Sequence, residues 1–182
     1  MFKQLQKLGK AFMLPIAILP AAGLLLGIGS SLSNPTTVAA YPVLDQPFLQ
    51  AIFGIMSAAG NTVFANLMLL LCVGLCVGLA KRDKGTAALA GVVAYLVMNA
   101  SIAAMLSIFR PDGNAIDTGA IGAIVIGCVT VYLHNRYHNI QLPQVLGFFG
   151  GSRFVPIVSS FTAIFMGQSF FLWDWPCHTI GC

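Results

Sequence analysis

Apolar residues in this chain come in long runs, and polar residues come in short groups between them. A bilayer core of about 30 Å is spanned by about 20 apolar residues in helical form. Five segments approach that length: Ala11–Leu32, Asn61–Ala80, Thr86–Ile108, Ile116–Leu133 and Phe154–Leu172. Each is expected to be a helix, because lipid offers no hydrogen-bond partner to an exposed backbone amide. The pattern therefore predicts an all-α integral membrane protein with about five transmembrane helices. Between the first two lies "SNPTTVAAYPVLDQP", a proline-broken linker. It runs into "FLQAIFGIMSAAG", where Phe48, Leu49, Ile52, Phe53 and Met56 recur at helical spacing. That segment either lies along the membrane surface or packs on the bundle.

Charge placement tests the span count. Lys3, Lys7 and Lys10 precede the first span, Lys81, Arg82 and Lys84 separate the second from the third, and Arg136 and Arg153 separate the fourth from the fifth. With the N-terminus in the cytoplasm, all of these face inward. Arg110 and Asp45, Asp112, Asp117 and Asp174 then face outward. Every loop obeys the positive-inside rule. The N-terminal lysines also resemble the start of a signal peptide, but the apolar run that follows exceeds the roughly 7–15 residues of a signal core. Pro15 and Pro20 interrupt it, so it reads as a retained span.

Composition narrows the class further. The chain is 58% hydrophobic and 8% charged, against about 25% charged in a soluble domain. It has no glutamate, so a water-facing shell cannot be built from it. The formal net charge of +4 could suggest nucleic acid. The basic residues cluster between spans, however, which points to topology and anionic lipid and not to nucleic acid.

Small residues recur at four-residue spacing: Gly23 and Gly27, Gly74 and Gly78, and Gly119, Ala123 and Gly127. Such stripes let helices approach closely in lipid. They serve either intramolecular packing or a dimer face. Asn99, in the third span, reads as a hydrogen-bonding residue between helices or as part of a polar path. Cys72 and Cys76 lie one turn apart with no sequence neighbour that would complete a metal site, so they read as small packing residues. Cys177 and Cys182 could bridge if exported. No metal or cofactor is expected.

Little in the chain offers catalysis. There is no carboxylate pair and no Ser-His-Asp grouping, so no catalytic residue is assigned. His134 and His138 in "HNRYHNI" could hold a metal or a phosphoryl group, but beside Arg136 and Tyr137 they read as a solvated basic helix end. The stretch "GFFGGSRFVPI" is the remaining candidate. Gly150, Gly151 and Ser152 can present consecutive backbone amides to an anion, and Arg153 adds a cation. The alternative is a tight turn into the fifth span, with Arg153 reaching to headgroups.

Several separated stretches carry a family resemblance: "LGKAFMLPIAILPAAGLLLGIG", "AGNTVFANLMLLLCVGLCVGLA", "ALAGVVAYLVMNASI" and "HNRYHNIQLPQVLGFFGGSRFVPI". Together they resemble the membrane-embedded EIIC component of the sugar phosphotransferase system, in its glucose, N-acetylglucosamine and maltose branch. The resemblance implies a permease that releases its sugar phosphorylated, receiving phosphate from a cysteine on an EIIB domain. It implies that these helices form a dimer interface domain, in a homodimer or with an intact EIIC. The expected location is the bacterial plasma membrane.

Departures from the family are equally informative. Its sugar-site signatures, a "GLHH"-like segment and an "ITEP"-like hairpin, are absent, and so is the "CITRLR"-like cysteine of EIIB. Ser152 stands where the family usually has lysine in "GKRFVP". No substrate-binding residue is therefore carried over. Residues 1–173 are expected to be the interface domain and 174–182 an aberrant tail. The tail "CHTIG" encoded as TGC CAT ACA ATT GGC reads Ala-Ile-Gln-Leu one nucleotide later, near the family's continuation. A frameshift and a truncated permease that cannot transport alone are thus expected. The alternatives are a small membrane protein that dimerises with and regulates an intact EIIC, or a half completed in trans.

Overall fold

The computed structural model describes residues 2–41, 46–109, 118–137, 151 and 154–180. Among these the secondary structure is helical: α1 (Phe2–Leu32), α2 (Pro35–Ala40), α3 (Pro47–Ala65), α4 (Leu67–Leu79), α5 (Lys84–Phe109), α6 (Gly119–Tyr137) and α7 (Phe154–Ile180). Among the described residues, five stretches are long and apolar enough to cross a membrane: Gly9–Leu32, Pro47–Ala65, Lys84–Phe109, Gly119–Tyr137 and Phe154–Leu172.

The expected number of spans is met, but the second differs from the expectation. Hydropathy predicts it at Asn61–Ala80, with the preceding amphipathic segment set apart. That segment instead forms most of α3, and the chain breaks at Asn66 before the shorter α4. Asn66 leaves helical geometry at φ −102° and ψ 17°. Its side-chain amide donates to the Thr62 carbonyl at 2.9 Å, and its backbone N–H donates there too. An asparagine that bonds its own helix end competes with helix continuation. Hydropathy averaged across a run does not see such a local stop.

The chain divides into two compact units. One comprises Met13–Leu67, and the other joins Met1–Phe12 to Met68–Cys182. In the first unit α1 crosses α3 at very short range. A Cβ on Gly60 would come within 2.8 Å of Ala22 O and Leu26 Cβ, and one on Gly29 would meet the Ser57 amide and lie 2.7 Å from Phe53 O. Ala22, Leu26 and Gly29 thus form the α1 packing face. Gly23 and Gly27 lie one position away, and a Cβ on either would meet nothing within 4 Å.

The second unit is built around α5. Its buried residues Ala87, Ala90, Ala94, Met98, Ile102 and Leu106 repeat every three or four positions, which is the helical period of one buried face. α4 meets that face through Cys76, whose sulfur lies 2.5 Å from where a Cβ on Gly91 would stand. α6 packs on α4 through Gly127, against Leu75 and the Cys72 carbonyl. α7 packs on α5 where Gly167 abuts Ser101 and lies 3.0 Å from Met98 O, again measured at an added Cβ.

Interior and exterior are both apolar, with the bulkier side chains mostly outside. The core cluster contains Cys72, Cys76, Ala80, Ala87, Ala94, Ala123 and Ala163, mostly small residues. Large apolar side chains point outward, among them Ile121, Phe161 and Phe165. Water would penalise such a surface heavily, while lipid accepts it. Several hydroxyls within the helices are satisfied locally: Thr62, Ser159, Ser160, Thr162 and Ser169 each donate to the carbonyl four residues back. That pattern removes the cost of an unpaired hydroxyl in hydrocarbon.

Candidate functional site

Helix directions collect the basic loops at one end of the second unit. α4 and α5 form a hairpin through Ala80–Asp83. α6 runs antiparallel to α5, because Gly122 lies by the Met98 side chain while His134 reaches Arg82. α7 runs parallel to α5, because Gly167 meets Met98 and Ser101 while the Phe171 ring lies 6.0 Å from that of Phe109. The end of α4, the start of α5, the end of α6 and the start of α7 therefore share one level. Ala11 packs on Gly78 near the end of α4, which brings the exposed Lys10 to the same level.

Two consecutive side chains of α6 hold the α4–α5 turn there. The Asn135 Oδ1 accepts from the Lys81 backbone N–H at 3.0 Å, and its Nδ2 donates to the Leu79 carbonyl at 3.5 Å. His134 Nε2 lies 2.8 Å from the Arg82 carbonyl. A carbonyl can only accept, so Nε2 carries the proton in that bond. The turn needs this support: Asp83 sits at φ 46°, a left-handed conformation that few non-glycine residues adopt. Lys81, Arg82, Asp83, Lys84 and Arg136 all point outward from this latch.

His134 corrects the sequence reading directly. It was expected at a solvated helix end, but it is 1% exposed. The imidazole is an interior strut that joins α6 to the neighbouring turn. Nothing local in "HNRYHNI" signals this, because the partner lies 52 residues earlier in the chain. His138, the second histidine of the pair, lies outside the described residues.

The other candidates are placed as follows. Of the loop Gly150–Arg153, only Gly151 is described; Gly150, Ser152 and Arg153 lie outside. Gly151 has φ 69°, where a side chain is strained, just before α7 begins at Phe154. The residue type suits a sharp turn into the helix. Gly74 is buried, and Gly78 abuts Ala11. Asn99 is half-buried on α5. Cys72 and Cys76 are buried with their sulfurs 3.6 Å and 3.8 Å from the Gly91 and Gly127 carbonyls. The tail cysteines offer no described side chain.

A multi-pass helical bundle with an apolar exterior, small-residue crossings and all described basic loops at one end defines the class: a polytopic membrane protein. The description "Phosphotransferase system, EIIC" matches residues 9–180. The chain belongs to this EIIC family. It is 42% identical to the "PTS system maltose-specific EIICB component" of Escherichia coli (strain K12), over 97% of this chain and 36% of that protein. It is 39% identical to the "PTS system glucose-specific EIICBA component" of Staphylococcus saprophyticus subsp. saprophyticus, over 100% of this chain and 28% of that protein. The chain thus spans about a third of the length of these relatives.

Proposed function

We propose that these residues are the N-terminal helical part of a glucose- or maltose-type permease that couples sugar uptake to phosphorylation. The observation that carries this reading is the match along nearly the whole chain to relatives named for those two sugars. Within the relatives' order of helices, these residues supply scaffold. The hexose pocket belongs to sequence that they do not include, since they contain no glutamate and no second site motif. By themselves these residues are not expected to transport sugar.

The orientation follows from charge. Lys10, Lys81, Arg82, Lys84 and Arg136 gather at one end, and the positive-inside rule puts that end in the cytoplasm of a bacterial plasma membrane. A phosphorylated EIIB-type carrier would approach there, past the turn at Gly151. Radiolabelled glucose and maltose uptake in a permease-null cell tests the reading. No uptake is expected from this chain alone. Uptake by the chain alone would show that the pocket is present after all.

A second reading has its own support. Gly23, Leu24, Gly27, Ile28, Ser31 and Leu32 line an open groove on α1. A Cβ added to either of its two glycines would meet nothing within 4 Å among the described residues. A groove of this form suits a helix from a second copy or from an intact EIIC. The chain would then act as a dimerising regulator, or as a half completed in trans. Reduced uptake on co-expression with an intact permease supports the regulator. Uptake only with a neighbouring gene product supports the split transporter. Reading the gene downstream in the other frame decides whether sugar-site motifs follow.

A further inference from the structure

The basic end described above is more ordered than a topology signal requires. Positive-inside charge works by sign and amount, and a loose loop serves it as well as a fixed one. Here the Ala80–Asp83 turn is tied down at Lys81 and Arg82, and the end of α4 at Leu79, by Asn135 and His134. The cations Lys81, Arg82, Lys84 and Arg136 are exposed around that fixed backbone, with Asp83 the one carboxylate in the turn. Directly below, Tyr132 is one helical turn before Arg136 on the same face of α6 and is 71% exposed. An aromatic ring under a cation at a span boundary is the arrangement of an interfacial headgroup contact.

We propose that this latched end binds the phosphodiester headgroup of one anionic phospholipid. Lys81, Arg82, Lys84 and Arg136 supply the charge. His134 and Asn135 are positioning residues that hold the turn. A lipid fits better than a soluble phosphorylated partner because the apolar face under the cations, including Tyr132, needs an acyl chain beside it. The held backbone also lowers the ordering cost of binding, which is what separates a site from diffuse attraction.

The test is native mass spectrometry of the full chain in micelles holding equimolar phosphatidylglycerol and phosphatidylcholine of the same acyl chains. A single phosphatidylglycerol adduct is expected to outlast the phosphatidylcholine one. Lys81→Gln, Arg82→Gln, Lys84→Gln or Arg136→Gln should each lower that preference by up to about fivefold. Asn135→Ala, which alters no charge, should lower it as well, and Arg110→Gln should not. Undiminished preference in folded Asn135→Ala overturns the proposal. If Asn135→Ala does not fold, the comparison of Arg136→Gln with Arg110→Gln decides, and equal losses overturn it as diffuse charge. Displacement of the adduct by glycerol phosphate would reassign the cations to a soluble phosphate. Absence of any phosphatidylglycerol preference, with a phosphorylated soluble protein retained instead, would also sink it.

Discussion

Single residues decide how closely these helices approach, and two glycines on neighbouring faces of the first unit show it. Gly60 is pressed against α1, with a would-be Cβ 2.6 Å from the Leu26 amide, whereas one on Gly27 meets nothing within 4 Å. Gly60→Leu is therefore expected to destabilise the protein by about 1–3 kcal/mol through overpacking. Gly27→Leu should leave the thermal midpoint in detergent unchanged and weaken self-association on crosslinking, if the α1 groove takes a second copy. Thr130 supplies a different case. Its hydroxyl is fully buried and has no hydrogen-bond partner among the described residues. An unpaired buried hydroxyl costs about 1–3 kcal/mol. Thr130→Val should consequently keep or raise the thermal midpoint, and a clear fall would reveal a partner for Oγ1. Of these positions, Gly27 was singled out from sequence and Gly60 was not. Four-residue spacing identifies a smooth face, but it cannot say which face finds a neighbour.

Among the elements, the contrast lies between α5 and the α3–α4 pair. α5 was legible because its sequence is apolar for most of its length and long enough to span: 26 residues at about 1.5 Å each give about 39 Å. α4 has only 13 residues, about 20 Å, which is short of the hydrocarbon core. Its apolar composition made it look like part of a longer span, and Asn66 ends that run by a side-chain bond no hydropathy sum contains. The connection between α4 and α5 is where element geometry and charge meet. Reporter fusions placed after Lys84 should behave as cytoplasmic, and those after Arg110 as external. A fusion after Lys84 that reports the exterior would invert the proposed orientation and leave the latched cations on the wrong side for a phosphocarrier.

For the whole molecule, the prediction concerns what these residues lack. Purified chain should show no stoichiometric capture of glucose or maltose by equilibrium dialysis. Saturable capture would place a hexose pocket among these helices, which contain no glutamate. The family itself was readable from separated stretches in order. The specific sugar was not: the relatives are named for two different sugars, and the chain spans only about a third of their length.

Helical class, the number of membrane-length segments and the grouping of cations between them are one-dimensional properties. They follow from hydrophobic run length and charge order, and reading along the chain recovers them. The break at Asn66, the use of Ala22 and Gly29 in place of Gly23 and Gly27, and the burial of His134 are of another kind. The first is a local side-chain bond that run-averaged hydropathy passes over; the other two depend on which surface a distant helix occupies. His134 could be understood only once α6 lay antiparallel to α5 and its ring reached a carbonyl 52 residues away. Contacts of that range are set by packing in three dimensions, so no local pattern announces them.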